Sequence, residues 1–413
     1  MSSLLVLAIV LAVGVAAFFA GRQRAVAQAG CPVKPHSRPR YHGWWAFLLT
    51  VLPAVLFLVL WDIGAFAQPH SPASLGPGPG PAGAVIAILL AAAGALHAVR
   101  AVEPRGRARD KVEKLMLWGL LGASTIAILT TVGIVLSMLF QTLQFFGSVS
   151  PAAFFFGTVW DPRFAAAGSG GSEGQFGLIP LLAGTLYIAL VALLVAVPVG
   201  LMSAVYMAEY ASSKVRSVVK PALELLAGIP TIVYGIFALV TLGPFLRDIS
   251  AALAGGAPFI QGQSILVAGL VMGIMLIPVV SSLSDDIITA VPRALRDGSL
   301  GLGATRSETI KRVVLPAALP GIVGAVLLTA SRAVGETMIV VLAAGVAANL
   351  TLNPFEAMTT ITVKIVNQLT GDLEFDSPQT LVAFALGITL FALTLAMNVV
   401  ALAVVRKYRE QYE

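Results

Sequence analysis

Charge is what this sequence has least of. Of its 413 residues only 11% are Asp, Glu, Lys or Arg, against roughly a quarter in an ordinary soluble domain. With 58% hydrophobic residues and a mean hydropathy of +0.91, a water-soluble fold is excluded. The single cysteine, Cys31, excludes an intrachain disulfide. No Gly-Lys pair occurs anywhere, so there is no Walker A loop to hold ATP. Cys/His metal spacing is missing too, and neither a cofactor nor a catalytic residue is expected in this chain. The apolar runs do not alternate with period two, which excludes a transmembrane barrel. An all-α, polytopic membrane protein remains, with lipid around it. The net charge of +6 would suit nucleic acid, but the basic residues sit in short loops between apolar runs, as membrane topology requires, and no nucleic-acid partner is expected.

Nine runs are long enough to cross a bilayer: about Leu4–Ala20, Trp44–Trp61, Ala82–Val99, Leu115–Phe140, Leu178–Ala208, Ala222–Leu246, Ile265–Leu283, Leu319–Ala347 and Leu381–Val405. Lys and Arg alternate between the loops. They crowd 21–43, 100–114, 211–221, 284–318 and the tail at Arg406, Lys407 and Arg409, whereas 62–81 has none and 141–177, 247–263 and 348–380 have one each. An outside N-terminus and a cytoplasmic C-terminus satisfy every loop. The first run is followed, not preceded, by its cations Arg22 and Arg24, which favours an anchor over a cleaved signal peptide, although Ala27-Gln28-Ala29 leaves the latter open. Composition divides the chain. Residues 1–110 hold three Ala/Leu-rich spans with cytoplasmic and Pro/Gly-rich linkers, in which no polar residue is suited to chemistry apart from His97 at a helix end. Residues 111–413 hold six spans whose helices carry charges, Pro and Gly, and the working domain is placed there.

Three groups of residues stand out. In the cytoplasmic loop 284–318, Asp297-Gly298-Ser299 is followed at fixed spacing by Gly303 and then by Val313-Val314-Leu315-Pro316. The pattern reads as a short helix, a sharp glycine turn and a second short helix stopped by proline, a hairpin able to dock into a soluble partner. Gly298 weakens the first helix, so docking would supply part of its order. Arg332 and Glu336 form the second group, near the middle of the Leu319–Ala347 span and one helical turn apart on one face. Charges at that depth are costly. They read either as a self-neutralising pair that locks packing or as a guanidinium that offers two donors to an oxyanion on its path. The third group runs from Glu224 through Pro230 to Gly235. Pro230 permits a kink suited to a gate, and Glu224, like Glu209, sits near the cytoplasmic surface, within reach of basic loop residues or simply solvated. Gly269-x-x-x-Gly273 reads as a packing seam.

The loop spacing resembles the EAA loop of ABC-importer permeases, with the Glu-Ala-Ala triplet degraded to Asp297-Gly298-Ser299 and Val313 in place of Ile. Together with Phe155–Trp160, Gly177–Thr185, Glu224–Gly235 and Arg332–Met338, it makes the chain from about residue 111 similar to the permease subunits of the bacterial phosphate ABC importer. Gly335-Glu336-Thr337-Met338 and Val233-Tyr234-Gly235-Ile236-Phe237 look more like the PstC type than the PstA type. The resemblance implies a six-helix type I permease core in the inner membrane, a PstA-like second permease, a PstB-like dimeric ATPase that hydrolyses the ATP, a PstS-like external binding protein, and inorganic phosphate passing Arg332 and Glu336. A sulfate or molybdate permease shares the loop but not the Phe155–Trp160 and Arg332–Met338 matches; a secondary transporter or channel needs no such loop.

Overall fold

In the computed structural model, residues 3–28, 36–66, 80–103, 106–162, 174–371 and 377–409 are described. Cys31, Lys34, Arg105, Arg163 and most of the Pro/Gly-rich linker lie outside them. Among the described residues nine helices are long and apolar enough to span a membrane, each overlapping one of the runs read from the sequence. The chain forms two compact units, Met1–Thr131 and Val132–Glu413.

The first unit packs α1 (Ser3–Gln28), α2 (Pro39–Phe66) and α3 (Pro81–Arg100) together and takes in the first half of α4 (Ala108–Ser148). Val6 and Val10 on α1, Ala54 and Leu58 on α2, and Ala84, Ala87 and Ala91 on α3 form its core. Alanine at every third or fourth position lets helix backbones approach closely, which is how helices associate where lipid removes the hydrophobic drive.

The second unit is built on α6 (Ile179–Val205) against α10 (Ile265–Ala290). Their seam is the predicted one: a Cβ at Gly269 would strike the side chain of Val191, and one at Gly273 would lie 2.9 Å from Val195 Cβ and 3.0 Å from Ala192 O. Before α6, α5 (Pro151–Phe156) and the two-residue strands β1 (Trp160–Asp161) and β2 (Gln175–Phe176), paired antiparallel, close a cluster of Phe145, Phe154, Trp160 and Phe176. α6 runs into a π turn at Tyr206–Tyr210, and α7 (Ser213–Ala227) follows.

Two expected spans are cut differently by the structure. Ala222–Leu246 is not one helix: α7 ends at Gly228, and Pro230, extended at φ −56° and ψ 133°, caps α8 (Thr231–Phe237), which continues through a π turn at Ala238–Leu242 into α9 (Gly243–Ala254). Proline drives the residue before it out of the helical region, so Pro230 separates two helices where a kink within one was expected. The span is Thr231–Ala254, and α7, with Lys214, Arg216 and Lys220, is an amphipathic helix outside the spans. Leu319–Ala347 is likewise divided. α13 (Leu315–Val334) ends at Gly335, a poor helix former, and a short α14 (Met338–Ala343) begins after it. α15 (Ile361–Gly371) and α16 (Pro378–Arg409) complete the chain.

The seam gives a matched test. Gly273→Ala adds a methyl where backbone and valine leave no room, an overpacking change of about 1–3 kcal/mol, whereas Gly122→Ala on α4 adds one where nothing lies within 4 Å. Thermal unfolding in detergent should show a lowered midpoint for the first and an unchanged or raised one for the second.

Candidate coupling and substrate-path site

The hairpin begins where α10 ends. Val291 and Pro292 break the helix, and α11 (Arg293–Gly301) carries Asp297, Gly298 and Ser299. Gly303 then turns left-handed at φ +89°. Its N–H donates to Leu300 O at 3.0 Å and the Ala304 N–H to Ser299 O at 3.2 Å, the two bonds of a Schellman cap. Thr305 and Glu308 form a reciprocal capping box that opens α12 (Arg306–Thr309). Ser299 and Thr309 hydroxyls meet at 3.0 Å and tie the two legs together. The hairpin is therefore ordered by its own caps, with Gly298 inside α11, where docking was expected to supply part of that order.

Pro316 does not stop the second leg, contrary to the sequence reading. The chain passes from α12 through a π turn, Ile310–Val314, straight into α13. Leu315 N–H reaches back five residues to Ile310 O, and this wider turn accommodates a proline that has no N–H to give. Val313 and Leu315 are half-buried there, with Val314 buried between them. The tip is apolar and open: Leu302 is 92% exposed, and Leu295 and Leu300 flank it.

Both legs of the hairpin are fastened to α6. Arg296 donates to Glu209 at 3.1 Å, and also to Val291 O at 2.6 Å and Ile288 O at 2.7 Å, the last carbonyls of α10. Arg306 lies over the ring of Tyr210, 5.2 Å from its centroid. Glu209 thus meets a basic loop residue, one of the two readings left open for it. Glu224 does not: it is exposed on α7 with no ion pair among the described residues.

One buried acid escaped the sequence reading. Asp285 on α10 is fully buried, and its Oδ2 accepts from Arg216 at 2.9 Å and Lys220 at 3.0 Å, while Lys220 also reaches Asp286 at 2.8 Å. Hydrogen bonds to Asp286 and Asp285 raise the Lys220 pKa. The visible signal was an Asp-Asp pair ending an apolar run and two cations four residues apart in the next basic loop. Nothing in the spacing said that they meet across 65 residues.

Arg332 and Glu336 are not the continuous i,i+4 pair. α13 ends between them, and no ion pair joins them among the described residues. Glu336 instead folds forward, its Oε1 accepting from Met338 N at 3.1 Å and Ile339 N at 3.4 Å, because a carboxylate is favoured over the free amides at the start of a helix. Thr362 Oγ1 donates to the Glu336 carbonyl at 2.9 Å. Arg332 remains exposed at the end of α13, its guanidinium free to present two parallel donors. The structure also brings the third group to this break. Gly235 on α8 packs so closely on α14 that a Cβ would lie 2.8 Å from Leu342 Cδ1 and 3.0 Å from Met338 O. Tyr234 OH donates to Leu226 O at 3.0 Å, across the Gly228–Pro230 gap. Outside the spans, burial pushes the Lys364 ammonium below its usual range, and its Nζ donates to Val346 O at 2.9 Å.

Removing Asp285 strands two cations at a buried position. Asp285→Ala should lower the unfolding midpoint strongly, since breaking a buried pair costs roughly 3–5 kcal/mol and half-exposed partners put this one at the low end. Asp286→Ala, whose carboxylate is mostly exposed, should shift it little. A thermal melt of both variants in detergent decides.

Residues 196–410 match the family model described as "Binding-protein-dependent transport system inner membrane component", and residues 7–72 match one described as "Phosphate ATP-binding cassette transporter". The chain is 34% identical over 275 residues to phosphate transport system permease protein PstC 1 of Mycobacterium tuberculosis, covering 62% of this chain and 81% of that protein. It is 33% identical over 304 residues to PstC of Xylella fastidiosa, covering 70% and 90%. To the probable ABC transporter permease protein YqgH of Bacillus subtilis it is 30% identical over 292 residues, covering 70% and 89%. A solved bacterial ABC transporter involved in alginate import is similar at 17% identity, covering 73% of this chain and 99% of that one, with a TM-score of 0.48. A third of the sequence is shared with these permeases over most of their length, and the family model takes in every helix from the end of α6 onward: the chain belongs to the inner-membrane components of binding-protein-dependent ABC transport systems, among the PstC-type permeases.

Proposed function

We propose that the chain is the PstC-like permease of an ATP-driven inorganic phosphate importer, working with a PstA-like permease, a PstB-like ATPase dimer and a PstS-like external binding protein. The observation that carries the phosphate reading is Arg332: an exposed guanidinium at a break in a spanning helix, not neutralised by Glu336. A planar fork of donors matches a tetrahedral oxyanion, and the names of the curated relatives point to the same anion. Glu336, turned away to cap α14, leaves that fork to the substrate.

The hairpin around Gly303 is the coupling element in this reading. Its exposed leucines seat in the ATPase, and ATP-driven closure moves it. Arg296 and Arg306 pass the motion to the π turn of α6, a rod about 40 Å long. At its far end Thr185 Oγ1 accepts from Ile361 N at 3.1 Å and Tyr187 OH donates to Leu352 O at 2.9 Å, so a shift of α6 pulls on α15 and the segment before it. The gating group Glu224–Pro230 sits where α7 and α8 separate. No cofactor in this chain enters the cycle, and ATP is hydrolysed on the partner subunit.

Uptake by the reconstituted four-component system tests the site. Arg332→Gln should cut phosphate uptake about ten-fold or more, the worth of a charge-assisted hydrogen bond, with the ATPase still bound. Arg332→Lys should fall between. Exchange of the two residues, Arg332→Glu with Glu336→Arg, should fail, since it puts a carboxylate where the anion needs a donor and uncaps α14. Normal uptake by Arg332→Gln would remove Arg332 from the path. Inhibition of uptake by sulfate or molybdate as strong as by phosphate would favour those anions instead, and ATP-independent uptake by the chain alone a secondary transporter.

The membrane orientation, N-terminus outside and C-terminus cytoplasmic, rests on the alternating cations. In a Cys31→Ser background, Ala257→Cys should react with an impermeant thiol reagent on intact cells and Ser307→Cys should not. The opposite labelling would invert the topology.

A further inference from the structure

The three-helix unit has no polar side chain in its core that the transport reading uses, yet one of its ends is assembled with care. Ser37, just before α2, is buried against the start of α4. Its Oγ donates to Gly106 O at 3.3 Å and accepts from Arg109 N at 3.3 Å, so a residue 72 positions away caps α4. That bridge sets Arg38 and Arg40 beside Arg107, Arg109 and Lys111, all exposed. Two aromatic side chains of α2 sit under the cations: Arg109 lies 6.0 Å from the Tyr41 ring centroid and Lys111 5.6 Å from that of Trp45. With Arg22 and Arg24 near the end of α1, Arg100 at the end of α3 and Lys114 in the second turn of α4, the described residues here include nine exposed Lys and Arg against three carboxylates, Glu103, Asp110 and Glu113. Of the nine, only Arg109 is in an ion pair among the described residues, with Glu113 at 2.6 Å.

We propose that this composite face, where α2 and α4 begin, binds the headgroup of an anionic phospholipid. α2 and α4 are spanning helices and these are their first residues, which places the cations at the depth of lipid phosphates, not in bulk water. Tyr and Trp are the residues that settle at that level, ring toward the acyl chains and polar edge toward the headgroups. Guanidinium groups from two segments grip a phosphodiester from two sides, and basic clefts between spanning helices select charged headgroups in this way. The chemistry is that of a phosphate oxyanion, and the lipid is chosen over free phosphate because the aromatic floor fits a glycerol backbone and chain starts.

The test uses the full-length chain, purified in mild detergent, exchanged into nanodiscs with equal parts of phosphatidylglycerol and phosphatidylcholine, then released for native mass spectrometry of the retained lipid. Phosphatidylglycerol should be retained in preference, and Arg109→Gln with Lys111→Gln should cut that preference by about five-fold per cation removed. Ser37→Ala removes no charge but unfastens the two segments, and should also lower the preference. If the preference survives Ser37→Ala, the face is merely a count of cations and the composite site is wrong. A comparison that holds even if Ser37→Ala folds poorly is Arg40→Gln with Arg107→Gln against Arg22→Gln with Arg24→Gln. The first pair should lose more, and equal losses would overturn the proposal. Retention of both lipids in the bulk ratio would do so as well, and displacement by millimolar inorganic phosphate would make the face a free-phosphate site.

Discussion

Inside a bilayer no water replaces a lost hydrogen bond, so a spanning helix breaks only where other groups satisfy the backbone it frees. The structure is organised around that constraint. α13 ends at Val334, and the amides it leaves open at the start of α14 are taken by the Glu336 carboxylate. The last carbonyls of α14 are met from the neighbouring segment, Leu342 O by Gln263 Nε2 at 3.0 Å and Ala343 O by Ser264 N at 3.0 Å. The first amide of α15 goes to Thr185 on α6. The end of α14 and the start of α15 are therefore held from other segments, and neither can open without disturbing its neighbour. That is a reasonable construction for a path that has to open and close as a unit.

The same logic explains the π turns. Three of them, at Tyr206–Tyr210, Ala238–Leu242 and Ile310–Val314, widen a helix without cutting its bond ladder. Two meet at the hairpin around Gly303. The α6 turn carries Glu209 and Tyr210 outward to Arg296 and Arg306, and the turn before α13 absorbs Pro316. Glu209 and Arg296 are only 11% and 18% exposed, a setting in which an ion pair is weak evidence for stability but an effective register pin. Asp285 does the corresponding work for α7, holding an otherwise exposed amphipathic helix to the end of α10. A hairpin built this way behaves as a rigid handle on two helices, not as a flexible loop.

Hydropathy, loop charge and motif spacing are properties of neighbours in the chain, and they survive any packing. The nine spans, the seam at Gly269 and Gly273 and the glycine turn at Gly303 were legible for that reason. Where the reading failed, a local rule met a longer-range partner. Pro316 was read as a stop because proline ends isolated helices, and the π turn removed the conflict. Arg332 and Glu336 were read as one face because hydropathy continues past Gly335, although the carboxylate finds better partners ahead of it than behind.

The sequence by itself determined a polytopic helical permease, its spans and its glycine-turned hairpin, because a bilayer selects apolar length and a turn selects glycine without reference to the rest of the fold. Tertiary structure alone decided that Arg216 and Lys220 close on Asp285, that Arg296 and Arg306 fasten the hairpin to α6, that Gly235 lies against the break beside Glu336, and that Ser37 caps α4. Those partners stand 65 to 107 residues apart. Which of many like-charged or like-sized side chains ends as the neighbour is set by how the helices pack, and no spacing along the chain encodes it.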